Sequence, residues 1–433
     1  MTIIVQYTLV FATVLALVAL GGMFAEHSGV INLGLEGTMV IGALGGALAM
    51  RYLPSTLPSF LIVVLVILIS ILCGLIYSLL LGLACITFKA DQTITGTALN
   101  ILAPALATVV VKAITLNEDG KATSQLQYIN MQENFVFNLT KTDMSWVIPA
   151  ILIIAGLVVL FMAFKGIKNI SKKVKIEFIV GGCLTLIGVL FAILFGLGIL
   201  PMVTFEWALF IVLILYALFK TYLLVFKKNK VKFKKNLISA IVFGSLAILI
   251  LVLNLTGFFV DLTMNWFVPL MLVLVCISVY VLYSTKFGLR LLSCGENPQA
   301  ADAVGINVNR TRYIGVIISG CFAGIGGLAF IASVNSSWTF DVGVSGFGFL
   351  ALAVMIFGQW KPINILLGAV LFGFFRAIGL TYVNIPFLQD MNISSSWYSM
   401  LPYVVCLIVL AFTSRKSRAP KAEGVPYDKG SRG

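Results

Sequence analysis

Residues 29–50 read "GVINLGLEGTMVIGALGGALAM", a stretch apolar enough to lie in a membrane that nevertheless carries Asn32, Glu36 and six glycines. A plain lipid-facing helix has no use for either feature. An ionised group in hydrocarbon costs on the order of 3 kcal/mol on insertion scales, and such groups face protein, water or the interface. The stretch therefore predicts an element set among other protein segments. A break near residues 29–37 is expected as well, because irregular backbone at membrane depth is tolerated only beside protein or water. Gly34, Thr38, Gly42 and Gly45 recur at spacings of three and four, the pattern that lets helices approach closely in lipid. Asn32 and Glu36 are four apart and share a face. Two roles stand open for Glu36: tying the irregular backbone to its neighbours, and touching a passing substrate.

The remainder of the chain has the same character. Of its 433 residues 60% are hydrophobic and 10% charged, with a mean hydropathy of +1.08, far more apolar surface than a soluble domain buries. Several runs exceed the roughly 20 residues a helix needs to cross the hydrocarbon, and no alternating pattern suggests a barrel. The expected fold is all-α: a polytopic transmembrane helical bundle of about 12–13 membrane segments with broken or re-entrant elements. Helices are expected near 4–22, 35–50, 58–86, 92–113, 146–164, 178–199, 205–226, 237–257, 266–284, 314–334, 362–383 and 399–413. The short Gly-rich run at 344–359 is expected to enter the membrane and return. The first run lacks a basic leader and a small-residue cleavage site, so it reads as a retained helix.

The formal charge of +13 sits largely in short runs between apolar segments, where it sets orientation; nucleic-acid binding is not expected. Lysine loops at 165–175 and 227–235 belong in the cytoplasm, with the basic tail, and residues 114–145 belong outside. The side of the N-terminus depends on whether the broken stretch crosses. Seven cysteines show no CxxC spacing and His27 is the only histidine, so neither a metal site nor a disulfide framework is expected. No H-E-x-x-H or G-x-S-x-G occurs, which removes the common membrane-enzyme signatures.

Three further patterns bear on function. Thr93, Gly96, Thr97 and Asn100 share a helical face, open to a polar pathway and equally to threonines bonding their own helix carbonyls. Ser345, Gly346, Phe347 and Gly348 stand where a half-helix would aim backbone N–H groups or a ring at a cavity; core packing is the other reading for Phe347. With Asn32 and Glu36, the residues Thr93, Thr97, Asn100, Ser345 and Phe347 form the candidate substrate pathway. Arg376 lies well into the run after Lys361 and is expected to snorkel outward. The loop 285–313, "TKFGLRLLSCGENPQAADAVGINVNRTRY", holds a helix of about two turns with Asn297 as cap, Pro298 first and Gly305 at its end. Ala300, Ala301, Ala303 and Val304 give it a smooth surface, and Glu296 and Asp302 put carboxylates in or near its first turns, where the helix dipole favours them. It suits docking in a groove of another protein, or lying on the membrane.

That loop, extended to "LRLLSCGENPQAADAVGINVNRTRYIGVIISGCFAGIGGLAF", resembles the coupling-loop region of ABC importer permeases of the branched-chain amino acid, ribose and nucleoside group. "GVINLGLEGTMVIGA", "KADQTITGTALNILA" and "GFGFLALAVMIFGQWKP" resemble three further blocks of those permeases, in order, and their wording is most similar to nucleoside permeases that work with a basic-membrane-protein type lipoprotein. The resemblance implies a second permease subunit, ABC ATPase subunits and an extracellular substrate-binding lipoprotein, besides membrane lipids. It implies no cofactor on this chain, ATP being used by the partner ATPases, and a location in the cell membrane. The coupling residues it implies are Glu296, Asn297, Pro298, Ala300, Ala301, Asp302 and Gly305; flat nucleobase faces would suit Phe347 or Phe349. No G-x-x-x-x-G-K-[ST] occurs, the sole Gly-Lys being Gly120-Lys121, so ATP energy is expected from a partner. Import of a simple sugar or branched-chain amino acid is the near alternative, and an ion-coupled secondary transporter with Glu36 as proton site the more distant one.

Against the resembled family, residues 146–257 read as an insertion of four transmembrane helices. The expected organisation is 1–145 as the N-terminal half of the permease core, 146–257 as the inserted module, 258–413 as the C-terminal half with the coupling loop, and 414–433 as a basic cytoplasmic tail.

Overall fold

The apolar run that opens the chain continues past its expected end and forms one helix, α1 (Thr2–His27). It is followed by α2 (Leu35–Tyr52), α3 (Ser59–Gly82, prolonged by a π turn over Leu83–Thr87) and α4 (Gln92–Thr115). The second half comprises α5 (Phe267–Ser284), α6 (Lys286–Glu296), α7 (Pro298–Ala303), α8 (Val308–Val334), α9 (Phe347–Phe357), α10 (Pro362–Thr381) and α11 (Ser395–Thr413). This is a computed structural model that describes residues 2–54, 56–116, 122–127, 135–138, 263–334, 337–384, 388–389, 394–413 and 419–428, with 210, 248, 251 and 252. The lysine loops and the four apolar runs expected at 146–257 lie outside the described residues. The chain divides into two units, 3–136 with 264–433 and 137–263, and the geometry below belongs to the first. Among the described residues seven helices are long and apolar enough to cross a membrane.

The small-residue faces bring α2, α3 and α8 together. A methyl group added at Gly42 of α2 would stand 2.4 Å from the Gly324 Cα of α8, so neither position has room for a side chain. The Ser70 hydroxyl of α3 lies 2.7 Å from the Gly42 carbonyl and 2.8 Å from that of Gly324, tying three backbones at one point. In lipid, where apolar burial between helices gains little over lipid contact, such van der Waals fit and interhelical hydrogen bonding supply the association. Around this crossing Met39, Val40, Ala43, Val66 and Leu328 are buried in one core.

The two ends of the bundle differ in charge. Among the described residues, Lys89, Lys286, Arg290, Arg310, Arg312 and Lys361 lie at one end, and Arg51 and Lys112 close helices at the other. The cation-rich end, which holds α6 and α7, is the cytoplasmic one. The His27 carbonyl at the end of α1 packs on Gly295 of α6, and α1 is continuous. The N-terminus therefore lies on the outer side, and the broken stretch after His27 begins from within. At the outer end a short antiparallel pair joins β1 (Gln125–Gln127) to β2 (Ser337–Thr339), with Leu126 opposite Trp338.

The 344–359 run differs from its expected course. The chain descends from β2 through residues 340–346 and then forms α9, 11 residues long, about 16 Å at 1.5 Å per residue. It does not return to the outer side. Trp360 arrives at the cytoplasmic end, where its carbonyl accepts a hydrogen bond from His27 Nε2 at 3.0 Å. An irregular upper half and a helical lower half thus make one crossing.

Candidate transport and coupling sites

Two interrupted elements meet at mid-membrane. Residues 28–34 leave α1 and climb irregularly before α2 begins; residues 340–346 descend irregularly before α9 begins. Glu36, 8% exposed, stands at the start of α2 and faces the start of α9. Its Oε1 accepts from the Gly346 N–H at 2.8 Å and its Oε2 from the Gly348 N–H at 2.6 Å. The first N–H groups of a helix have no partner within it, and the positive end of the helix dipole favours an anion. Glu36 supplies both needs for α9. Ser345, at φ +56°, and Gly346, at φ +77°, form the left-handed turn that aims these donors at the carboxylate.

Asn100 of α4 holds the other interrupted element. Its Oδ1 accepts from the Gly37 N–H at 2.8 Å and its Nδ2 donates to the Leu33 carbonyl at 2.7 Å. Gln92 adds a third tie, accepting from the Ile31 N–H at 2.7 Å. Asn32 is buried and donates to Ser319 Oγ of α8 at 2.8 Å, while its Oδ1 has no protein partner. Backbone that forms no helix here is thus paired by two side chains of one neighbour, Asn100 and Gln92 of α4, as low-dielectric surroundings require.

The remaining candidates on the pathway separate. Thr93 and Thr97 are exposed on the outer surface of α4, the Thr97 hydroxyl bonding the Thr93 carbonyl at 2.8 Å. The Ser345 carbonyl accepts from the Tyr403 hydroxyl at 3.2 Å. Phe347 is buried between Phe11 and Phe330, with ring centroids at 5.5 and 4.7 Å, whereas Phe349 is 53% exposed. Arg376 does not snorkel outward: its guanidinium lies 5.5 Å from the centre of the Phe347 ring, a cation–π placement.

At the cytoplasmic end the predicted cap is present. Asn297 Oδ1 accepts from the Ala300 N–H at 3.0 Å, Pro298 opens α7, and Gly305 at φ +84° turns the chain away. The helix has six residues, close to the two turns expected. Two details differ from expectation. Glu296 closes the preceding α6, and Asp302 lies near the C-terminal end of α7, so neither sits in its first turn. Ala301 points inward, 3% exposed, and packs with Cys294 and Val308. The outward surface is made by Ala300, Ala303 and Val304, the last 76% exposed. The cause is the amphipathic α6, whose buried Leu291 and Cys294 fix which side of α7 turns in.

Sequence reasoning missed the inner end of α1. Glu26 is buried and accepts a hydrogen bond from the Trp360 indole. The signal was present in the apolar run through Met23, Phe24 and Ala25, which carries the helix beyond residue 22. Arg312, fully buried at the foot of α8, was missed as well. Beside α7 two clefts of about 620 and 420 Å³ open, the first between Lys89, Asp302, Tyr427 and Asp428 and the second between Phe287, Arg290 and Arg310.

The arrangement is that of a membrane transport subunit: interrupted helices paired at mid-membrane, and a short capped helix presented to the cytoplasm. Comparison with known proteins agrees. The model for the branched-chain amino acid transport system / permease component family matches residues 4–168 and 148–410. The chain is 31% identical to the guanosine ABC transporter permease protein NupQ of Bacillus subtilis (strain 168) over all of this chain and 98% of that protein. It is 29% identical to the nucleoside ABC transporter permease protein NupC of Lactococcus lactis subsp. cremoris (strain MG1363) over 99% of this chain and 97% of that one. Both alignments run through residues 146–257. A shorter match, 36% identical, covers 26% of this chain and 34% of the putative glucose ABC transporter permease protein TsgC13 of Haloferax volcanii. No solved structure matches significantly. The chain belongs to the family of branched-chain amino acid transport system permease components, the multi-pass cell-membrane subunits of ABC importers.

Proposed function

We propose that this chain is the permease subunit of an importer for nucleosides, working with a second permease, an ABC ATPase subunit and an extracellular substrate-binding lipoprotein. One observation carries the substrate class. Two relatives matched along nearly their whole length are named for guanosine and for nucleosides, whereas relatives named for glucose and for branched-chain amino acids match 26% and 13% of this chain. Substrate released outside enters between the two permeases and leaves inward. Thr93, Thr97 and Phe349, which face away from this chain's own core, are placed to line that passage; the Phe349 ring offers a stacking surface for a flat base. Glu36 and Asn100 hold the interrupted elements behind it. The chain binds no cofactor and has no ATPase site, and the ATPase engages α7 through Ala300, Ala303 and Val304. The core comprises 1–145 with 258–413, and 146–257 is an accessory module.

The test is uptake of tritiated guanosine, adenosine, cytidine and uridine by cells that carry the complete importer and no other nucleoside carrier. Unlabelled nucleosides in excess should abolish uptake while ribose and leucine leave it unchanged. Inhibition by ribose or leucine would move the substrate class to sugars or amino acids.

A further inference from the structure

After α11 the chain returns to the cytoplasmic end, and residues 419–428 lie across it as turns and extended backbone. This segment forms no helix or strand that would order it alone, so its course is set by what it touches. The Ala422 N–H donates to the Gly295 carbonyl of α6 at 2.8 Å. Arg312 Nη1, at the foot of α8, donates to the Val425 carbonyl at 3.0 Å. Tyr427 packs on the small cluster that seats α7 and lines one cleft with Asp302 of that helix. Toward the membrane, Glu423 meets Glu26 at the end of α1, and Gly424 lies against Ile31 of the interrupted stretch.

One ten-residue segment therefore touches the capped cytoplasmic helix on one side and the lower end of the interrupted mid-membrane element on the other. α7 is only six residues long, too short to hold an orientation by itself, and its inward residue, Ala301, rests on Cys294, Val308 and Tyr427. A force applied to the exposed face of α7 needs a stiff path to the residues that rearrange in transport. The hydrogen bonds at Gly295 and Arg312 and the contact at Ile31 provide one.

We propose that residues 419–428 are a positioning strap: they seat the coupling helix α7 and link it to the interrupted stretch at 28–34, so that movement of the ATPase reaches the transport path. This rests on the reading of α7 as the ATPase contact. The strap needs neither substrate nor nucleotide, and its removal breaks the linkage without removing any residue assigned to the pathway or to the exposed face of α7.

The experiment compares the complete importer in proteoliposomes with versions whose permease ends at Arg418 or carries Ala422→Pro or Tyr427→Ala. ATP hydrolysis and uptake of labelled nucleoside are measured on the same vesicles. In each variant that assembles, uptake per ATP hydrolysed should fall by about fivefold or more, the lower end of ordinary coupling between sites, with hydrolysis retained; Tyr427→Phe should keep most of the ratio. An unchanged ratio, or uptake and hydrolysis falling in proportion, overturns the strap. The point variants keep the chain length, so they decide the matter if the shortened chain fails to assemble. Ala300→Arg separates the two readings. If it leaves ATPase stimulation intact, the assignment of α7 itself fails; if it abolishes stimulation while the strap variants leave the ratio unchanged, the strap alone fails.

Discussion

Replacing Glu36 tests whether one carboxylate joins the two interrupted elements. Its oxygens accept from the Gly346 and Gly348 N–H groups at 2.8 and 2.6 Å in a buried setting. Glu36→Leu leaves both donors without a partner, and each buried orphan costs about 1–3 kcal/mol, for a loss of about 2–6 kcal/mol. Glu36→Gln keeps one acceptor oxygen and turns an amide N–H₂ toward the other donor, so it should cost about half as much, roughly 1–3 kcal/mol. The assay is thermal unfolding of the purified permease in detergent, beside assembly yield and nucleoside uptake in cells. Leu should lower the midpoint and the yield clearly, with Gln intermediate and still transporting. Two normally assembled variants that both lose uptake would refute this reasoning, since the charge would then serve transport directly. A Leu variant as stable as the native chain would refute it too.

Other consequences can be measured separately. Ala300→Arg, on the exposed face of α7, should abolish stimulation of the ATPase by binding protein while insertion stays normal, whereas Ala301→Arg should destabilise the loop, overpacking costing on the order of 1–3 kcal/mol. Deleting residues 146–257 and joining Ser145 to Phe258 through a short Gly/Ser linker should keep the coupling loop inside and retain uptake. Ser293→Cys, at an exposed position, reports its side of the membrane by labelling, since Cys294 is wholly buried; labelling only from outside would show that an even number of crossings was not removed. Burial pushes the Glu423 carboxyl up, although a hydrogen bond to Glu26 offsets part of the rise; His27, Glu296 and Arg312 are the other charged or titratable groups near this junction. A raised carboxyl favours the docked, protonated form, so the strap's stability is complete below the ordinary glutamate range and is lost as pH rises through the raised value. A spin label at Lys421→Cys should therefore be less mobile at pH 5 than at pH 8, and Glu423→Gln should flatten the difference; mobility independent of pH in the native chain would contradict this.

Much of the membrane layout was legible because lipid imposes length and apolarity on each crossing. The expected runs at 35–50, 92–113 and 266–284 correspond to helices that end within two residues of them. Asn297-Pro298 was legible because capping is local chemistry. Glu36 was legible as a buried acid, but its partners at Gly346 and Gly348 lie some 310 positions away, beyond any local pattern. The inward turn of Ala301 was not legible, since a six-residue helix takes its facing from what covers it. Phe347 and Arg376 show the same limit, for their stacking depends on how α9 and α10 pack. The docking of 419–428 was hidden because it rests largely on backbone carbonyls, at Gly295 and Val425, which leave no trace in side-chain identity. The end of α1 was hidden because Glu26 resembles a loop acid until the Trp360 indole is seen beside it.

The most direct measurement is nucleoside accumulation by proteoliposomes that contain this permease with its partner permease, ATPase and binding protein, under two energy sources applied separately. With ATP available to the ATPase and no ion gradient, labelled nucleoside should accumulate against its gradient, and Ala300→Arg should abolish accumulation. With a proton or sodium gradient and no ATP, vesicles should only equilibrate at background rate. Accumulation driven by the ion gradient alone, lost in Glu36→Gln and indifferent to Ala300→Arg, would contradict the account and make this chain an ion-coupled carrier.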